Sequence, residues 1–335
     1  MNFLEPPHVI FPNSLSTRRQ FLTSAGVISA IGPLATLELA AQQNNDVIFD
    51  VKVDLVMVTC NVTDNKGKHV AGLTAGDLRV TEDGIQQNIV AFGEAGAPGT
   101  RLSSEIPEGA SVFVLLDSSD AMYKGFVYAC DAAAEFVRRL NEANSIAVYT
   151  FSSNLSRLAP LSKDRHATLT SLRNAVAGAS TALYNSLLLT LRDAARVAGR
   201  KAVVVFSNGP DTASVIAPDD VRAVAEDEGI PIYMISTEES RQHSISGRVF
   251  RRLTSLTGGE IYWARDWQRQ AQAFASVRER IDSTYTFAYY PAPNPNQEFR
   301  TIRVEVISVP GNRYRVGARS GYRPKPMPVP ARSDL

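Results

Sequence analysis

Between Ser111 and Ser283 the chain alternates short runs of nearly pure Val, Ile, Leu and Phe with longer amphipathic segments, and this constrains the fold more than any other feature. The runs SVFVLLD, SIAVYTFS, KAVVVFSNG, PIYMIST and EIYWA have strand length and no solvated face. A strand that is apolar on both sides must be covered on both sides, as in a parallel sheet with crossover helices. The segments between them, around 123–141, 164–177, 183–198, 218–228 and 247–257, with a last one at 267–283, have helical periodicity. The spacing predicts an α/β domain over 111–283. Its sheet is doubly wound and mostly parallel, and ligands of such sheets collect at the carboxyl ends of the strands.

On both flanks the period changes to two. VIFDVKVDLVMVTCNVTD reads as one or two strands, followed by a turn at Asn65-Lys66-Gly67. DLRVTEDGIQQNIVAF holds two short strands around Asp83-Gly84, a hairpin signal. The stretch 93–110 is aperiodic and rich in Gly, Pro and Ser, as a linker is. After Thr284, the segments TYTFAYYP, FRTIRVEVIS and YRVGARSGY predict three more strands, and the tail 323–335 is Pro-rich and expected to be disordered. Each flanking group has too few strands to be stable alone. One all-β sandwich built from 46–96 and 284–322, with the α/β domain inserted through a linker at 97–110, is the economical arrangement. Two separate small β modules are the alternative.

The 335 residues carry a formal net charge of +1 and are 44% hydrophobic, ordinary globular material with no field to attract polyanions. The arginines of RVFRRL (248–253) read as a solvated helix face, so no nucleic-acid partner is expected. Cys60 and Cys130 cannot make a disulfide framework and read as buried, inert thiols. At the N-terminus, STRRQFLTSAG precedes a mildly apolar stretch that is too short and too rich in small residues for a membrane span. Residues 1–41 read as an export signal, and Arg18–Arg19 with Phe21 and Leu22 resembles the twin-arginine type. Cleavage is expected near Ala41, without a lipid anchor, placing the protein in the periplasm, cell envelope or medium.

Three loops fall at strand ends: Asp117-Ser118-Ser119-Asp120-Ala121, the segment 178–184, and Phe206-Ser207-Asn208-Gly209-Pro210-Asp211. In this order they resemble the metal-ion-dependent adhesion site of the von Willebrand factor A domain, whose pattern is Asp-x-Ser-x-Ser, a Thr, and an Asp-Gly. The flanks, from VTDNKGKHVAGLTAGDLRVTEDG to YRVGARSGY, are similar to the exported group called acidobacterial von Willebrand factor A-related proteins.

The resemblance implies that Asp117, Ser119 and Thr181 occupy ligand positions for Mg²⁺ or Mn²⁺. Two positions depart from the pattern: Ala121 stands at the second serine and Asn208 at the third-loop aspartate. One change removes an oxygen and the other a charge, so the mapped site is degenerate. Asp120 is either a substitute ligand or the cap of a helix starting near Ala121, and Asp211 reads as a loop cap.

Enzyme signatures are missing. There is no Gly-x-Ser-x-Gly elbow and no phosphate loop, and the four histidines have no zinc spacing. The expectation is an exported, non-enzymatic adhesion module that binds a protein or surface polymer at the carboxyl-end face, with a weakened or lost metal site. A metal-independent structural or assembly module of the cell envelope is the second hypothesis, in which Asn208 donates a hydrogen bond that an aspartate could not. A hydrolase of unknown type is the third.

Overall fold

The structure is a computed structural model and describes residues 55–95, 109–122, 125–237, 244–308 and 314–324. The predicted export signal, most of the predicted linker and the tail beyond 324 lie outside the described residues.

The chain opens with β1 (Val56–Thr63), β2 (Leu78–Glu82), β3 (Ile85–Gln86) and β4 (Ile89–Glu94). The β2–β3 turn has positive φ at both Asp83 (47°) and Gly84 (83°), the hairpin geometry that Asp-Gly favours. The α/β layer follows as β5 (Ala110–Asp117), α1 (Phe126–Arg139), β6 (Ser145–Phe151), β7 (Leu155–Ser162), α2 (Arg165–Leu172), α3 (Leu183–Ala195), β8 (Arg200–Ser207), α4 (Pro218–Asp227), β9 (Ile232–Thr237), α5 (Ser244–Thr257), β10 (Ile261–Ala264) and α6 (Trp267–Asp282). The chain closes with β11 (Tyr285–Tyr289), β12 (Arg300–Val306), β13 (Arg315–Ala318) and β14 (Gly321–Tyr322).

The central sheet has the order β10-β9-β8-β5-β6-β7, parallel except where β7 runs against β6. Along β5 the side chains alternate between two apolar layers. Val112, Val114 and Leu116 pack with α1 and α6, and Phe113 and Leu115 pack with α3, α4 and α5. This double burial is why β5 has no polar face. Strand order reverses at the β5–β8 pair, so the topological switch point lies between the ends of these two strands.

Two flanking antiparallel sheets, β13-β1-β11-β4 and β14-β12-β2-β3, mix strands from both ends of the chain. They face each other across one core, in which Val56, Val58, Cys60 and Val62 of β1 meet Val80, Phe287, Tyr289 and Ile302. The flanking strands therefore form one sandwich with the α/β layer inserted. A buried carboxylate crosses this core: Glu82 accepts from Arg300 Nη1 at 3.0 Å, Tyr289 OH at 2.9 Å and Tyr322 OH at 3.0 Å.

The sandwich sits against the amino ends of the central strands. Arg200, at the start of β8, donates to Thr284 Oγ1 at 3.2 Å, and Asn61 Nδ2 donates to Tyr233 OH at 2.9 Å. Arg319 spans the junction, donating to the carbonyls of Glu226 (3.0 Å) and Met57 (3.0 Å). The carboxyl-end loops point the other way.

Two expectations need correction. LSRLAPLS, which has no clear alternation and contains Pro160, forms the edge strand β7; an edge tolerates a residue that cannot donate to the ladder. The first helix does not start near Ala121. A 3-10 turn covers Asp120–Met122, and α1 begins at Phe126 behind Gly125. Asp120 therefore caps no helix; its carboxylate accepts from the Ala121 amide at 2.8 Å and is exposed. Of the two free cysteines, Cys60 is buried and Cys130 only half-buried, and burial pushes their thiols up to about 12 and about 11.

Candidate functional site

Strand β5 ends on Asp117 and β8 on Ser207, and the structure joins these residues. Ser207 donates its hydroxyl to Asp117 Oδ2 at 2.7 Å, and the Ser119 amide donates to Oδ1 at 2.9 Å. Asp117, Ser119 and Ser207 are fully buried. Burial pushes the Asp117 carboxyl above its ordinary range, and the hydrogen bonds from Ser119 and Ser207 pull it back only in part.

The second loop is clamped to the first by its backbone. Gly178 N donates to Ser118 O at 2.7 Å, and Asp120 N donates to Ala179 O at 3.0 Å. A Cβ at Gly178 would lie 2.1 Å from Ser152 Oγ, so this approach requires glycine. The carbonyl of Thr181, a buried residue, accepts from the amides of Thr212 and Ala213 in the third loop, at 2.9 and 3.0 Å.

The third loop closes the cluster. Asn208 Nδ2 donates to Ala121 O at 2.9 Å. Asp211 accepts from Tyr184 N at 3.0 Å and from Ser214 N at 2.8 Å, so it caps α3, whose own N-cap residue, Ala182, has no side-chain acceptor. This is the loop-capping role the sequence suggested. Two buried oxygens have no partner: Ser119 Oγ and Asn208 Oδ1.

The structure thus links Asp117, Ser119, Thr181 and Asn208 through three interlocked loops, while Asp120 stays on the surface. Sequence reasoning did not assign Ser207, the direct partner of Asp117. Its signal was position: a hydroxyl on the last residue of the strand beside the switch point.

Residues 112–210 match the family model for the von Willebrand factor type A domain, a span that runs from β5 through all three loops as far as Pro210. The α/β layer has the von Willebrand factor A-like fold. No curated protein matches the sequence. Among solved structures, the chain is similar to the vWF domain of the type V pili tip protein Mfa5 from Porphyromonas gingivalis, with 11% identity and a TM-score of 0.46 over 54% of this chain and 96% of that one. It is also similar to a von Willebrand factor type A protein from Catenulispora acidiphila (10%, 0.44, 80% and 73%) and to the conserved hypothetical protein BatB from Bacteroides thetaiotaomicron (14%, 0.42, 51% and 100%).

The donor set of these loops fits a magnesium or manganese ion poorly. Both Asp117 oxygens already accept hydrogen bonds, and position 121 offers only a methyl group. The Asn208 amide is committed through its N–H, leaving its neutral oxygen and the Ser119 hydroxyl as the unpartnered buried acceptors. Magnesium requires near-octahedral oxygen coordination and loses its water reluctantly, so a set this poor in charge holds it weakly.

Proposed function

We propose that this chain is an exported, non-enzymatic binding module that recognises a protein or surface-polymer ligand at the carboxyl-end face of its α/β sheet. Its loop cluster keeps its shape without a metal ion. The observation behind this reading is the 2.9 Å hydrogen bond from Asn208 Nδ2 to Ala121 O. It uses a donor that a carboxylate lacks and ties the third loop to the position where a ligand hydroxyl is missing. Export rests on the Arg18–Arg19 segment of the sequence.

Metal-assisted adhesion is the second reading. It is favoured by the two unpartnered buried oxygens, Ser119 Oγ and Asn208 Oδ1, which a cation or a water would satisfy.

Calorimetry with Mg²⁺ and Mn²⁺ separates the two, comparing the native chain with the Ala121→Ser/Asn208→Asp double variant. The expected result is no binding by the native chain below millimolar concentration and binding by the variant. Sub-millimolar binding by the native chain would overturn the metal-free reading in favour of metal-assisted adhesion.

A further inference from the structure

The loop after β8 holds the one Asn-Gly pair in the sequence, Asn208-Gly209. A glycine nitrogen brings no Cβ with it when it approaches the side-chain amide of the residue before it, which makes this pair the one best suited to cyclise. Gly209 has a φ of 123°, a backbone conformation that glycine alone adopts without strain. Its N–H lies outside the strand ladder, because β8 ends at Ser207, and it donates instead to Ser207 Oγ at 3.3 Å. Ser207 in turn donates its hydroxyl proton to Asp117 Oδ2 at 2.7 Å. A proton path thus leads from the Gly209 nitrogen to a buried carboxylate.

The amide of Asn208 is held but only half satisfied. The residue is 8% exposed; Nδ2 donates to Ala121 O at 2.9 Å, and Oδ1 is buried without a partner. A buried carbonyl with no donor is a standing cost of the amide form. The one Asp-Gly pair in the sequence, Asp83-Gly84, shows the opposite arrangement. There Oδ1 accepts from the amide and hydroxyl of Thr301, and Oδ2 accepts from the side chains of Asn294 and Asn296, so both oxygens are engaged.

We infer that Asn208-Gly209 is a self-modifying site, at which the folded chain closes a succinimide and deamidates residue 208. The Gly209 nitrogen forms a bond to Asn208 Cγ, and its proton passes to Ser207 Oγ as the Ser207 proton passes to Asp117. The Cγ–Nδ2 bond breaks, and the nitrogen takes a proton from water and leaves as ammonia. The hydroxide left behind recovers the proton from Asp117, so ammonia is the only loss. Water then opens the imide: cleavage at Cγ gives aspartate, and cleavage at the main-chain carbonyl gives isoaspartate. Either product lacks the donor that ties the third loop to Ala121, and either adds a negative charge to that loop. The modification does not depend on ligand binding at the carboxyl-end face.

Peptide mapping by mass spectrometry tests this on the full chain, held folded at neutral pH and sampled over weeks. The comparator is the free peptide of residues 206–214, which has the same pair without the fold. The native chain is expected to convert at residue 208 about tenfold faster than the peptide, with no isoaspartate at residue 83. Ser207→Ala removes the first proton acceptor and is expected to slow conversion about tenfold, whereas Ser207→Thr keeps the hydroxyl and should stay near the native rate. Urea midpoints establish that each variant is folded during the incubation. A native chain that keeps its amide, or loses it no faster than the peptide, overturns the inference. So does a Ser207→Ala chain that converts as fast as the native one.

Discussion

Asn208 holds Ala121 by donating its side-chain amide to the main-chain carbonyl at 2.9 Å, joining the end of β8 to the loop after β5 across the switch point of the sheet. The two positions at which the sequence departs from the pattern it resembles are therefore linked to each other.

Asn208→Asp alone removes this donor and adds a further carboxylate to loops that already hold Asp117, Asp120 and Asp211. Leaving the Ala121 carbonyl without its partner is expected to cost about 1–3 kcal/mol, with like-charge repulsion adding to it. Urea unfolding would register the loss. Excess Mg²⁺ should recover part of it in Asn208→Asp while leaving the native midpoint unchanged.

The raised carboxyl of Asp117 has a defined signature with pH. Its folded-state value lies above the 3.8 of the free group, so the folded chain holds the proton more tightly than the unfolded chain. This group's contribution to stability is fully present below 3.8 and is lost as pH rises through the folded value. Asp117→Asn should flatten that slope while keeping the fold, because the amide can accept from Ser119 N and donate to Ser207. Asp117→Ala leaves both partners unpaired and is expected to cost about 2–4 kcal/mol. Unfolding curves at several pH values would separate the two variants.

Gly178→Ala tests the approach of the second loop. The added Cβ would meet Ser152 Oγ at 2.1 Å and Ser152 Cβ at 2.4 Å, so one loop must move. The expected loss is about 1–3 kcal/mol, and Ser152→Gly in the same chain should recover most of it. A melting temperature unchanged by Gly178→Ala would show that the clamp yields freely.

In the sandwich, Glu82→Leu removes the countercharge of Arg300, whose guanidinium keeps only the carbonyls of Asn294 and Asn296, and leaves two tyrosine hydroxyls without their acceptor, so it is expected to cost about 3–5 kcal/mol. Glu305→Ala removes only exposed pairs, with Arg79 (2.9 Å) and Arg303 (2.9 Å), and should leave the unfolding midpoint nearly unchanged. Equal effects in denaturant unfolding would argue against a structural role for the Glu82 cluster.

Sequence alone determined the parallel order of the inner layer, because strands such as β5 and β8 are apolar on both faces and only a doubly covered sheet accommodates them. It also determined the Asp83-Gly84 hairpin and the three loops at strand ends, since turn chemistry and periodicity are local properties. Tertiary structure decided the rest. That β1 pairs with β11, more than two hundred residues later, is written in neither strand; it follows from the need of two incomplete sheets to share one core. β7 escaped notice because an edge strand needs neither alternation nor a full set of donors. The roles of Ser207 and Asn208 also depended on position. A serine and an asparagine hydrogen-bond in many ways, and only the meeting of β5 and β8 at the switch point set Ser207 against Asp117 and Asn208 against Ala121.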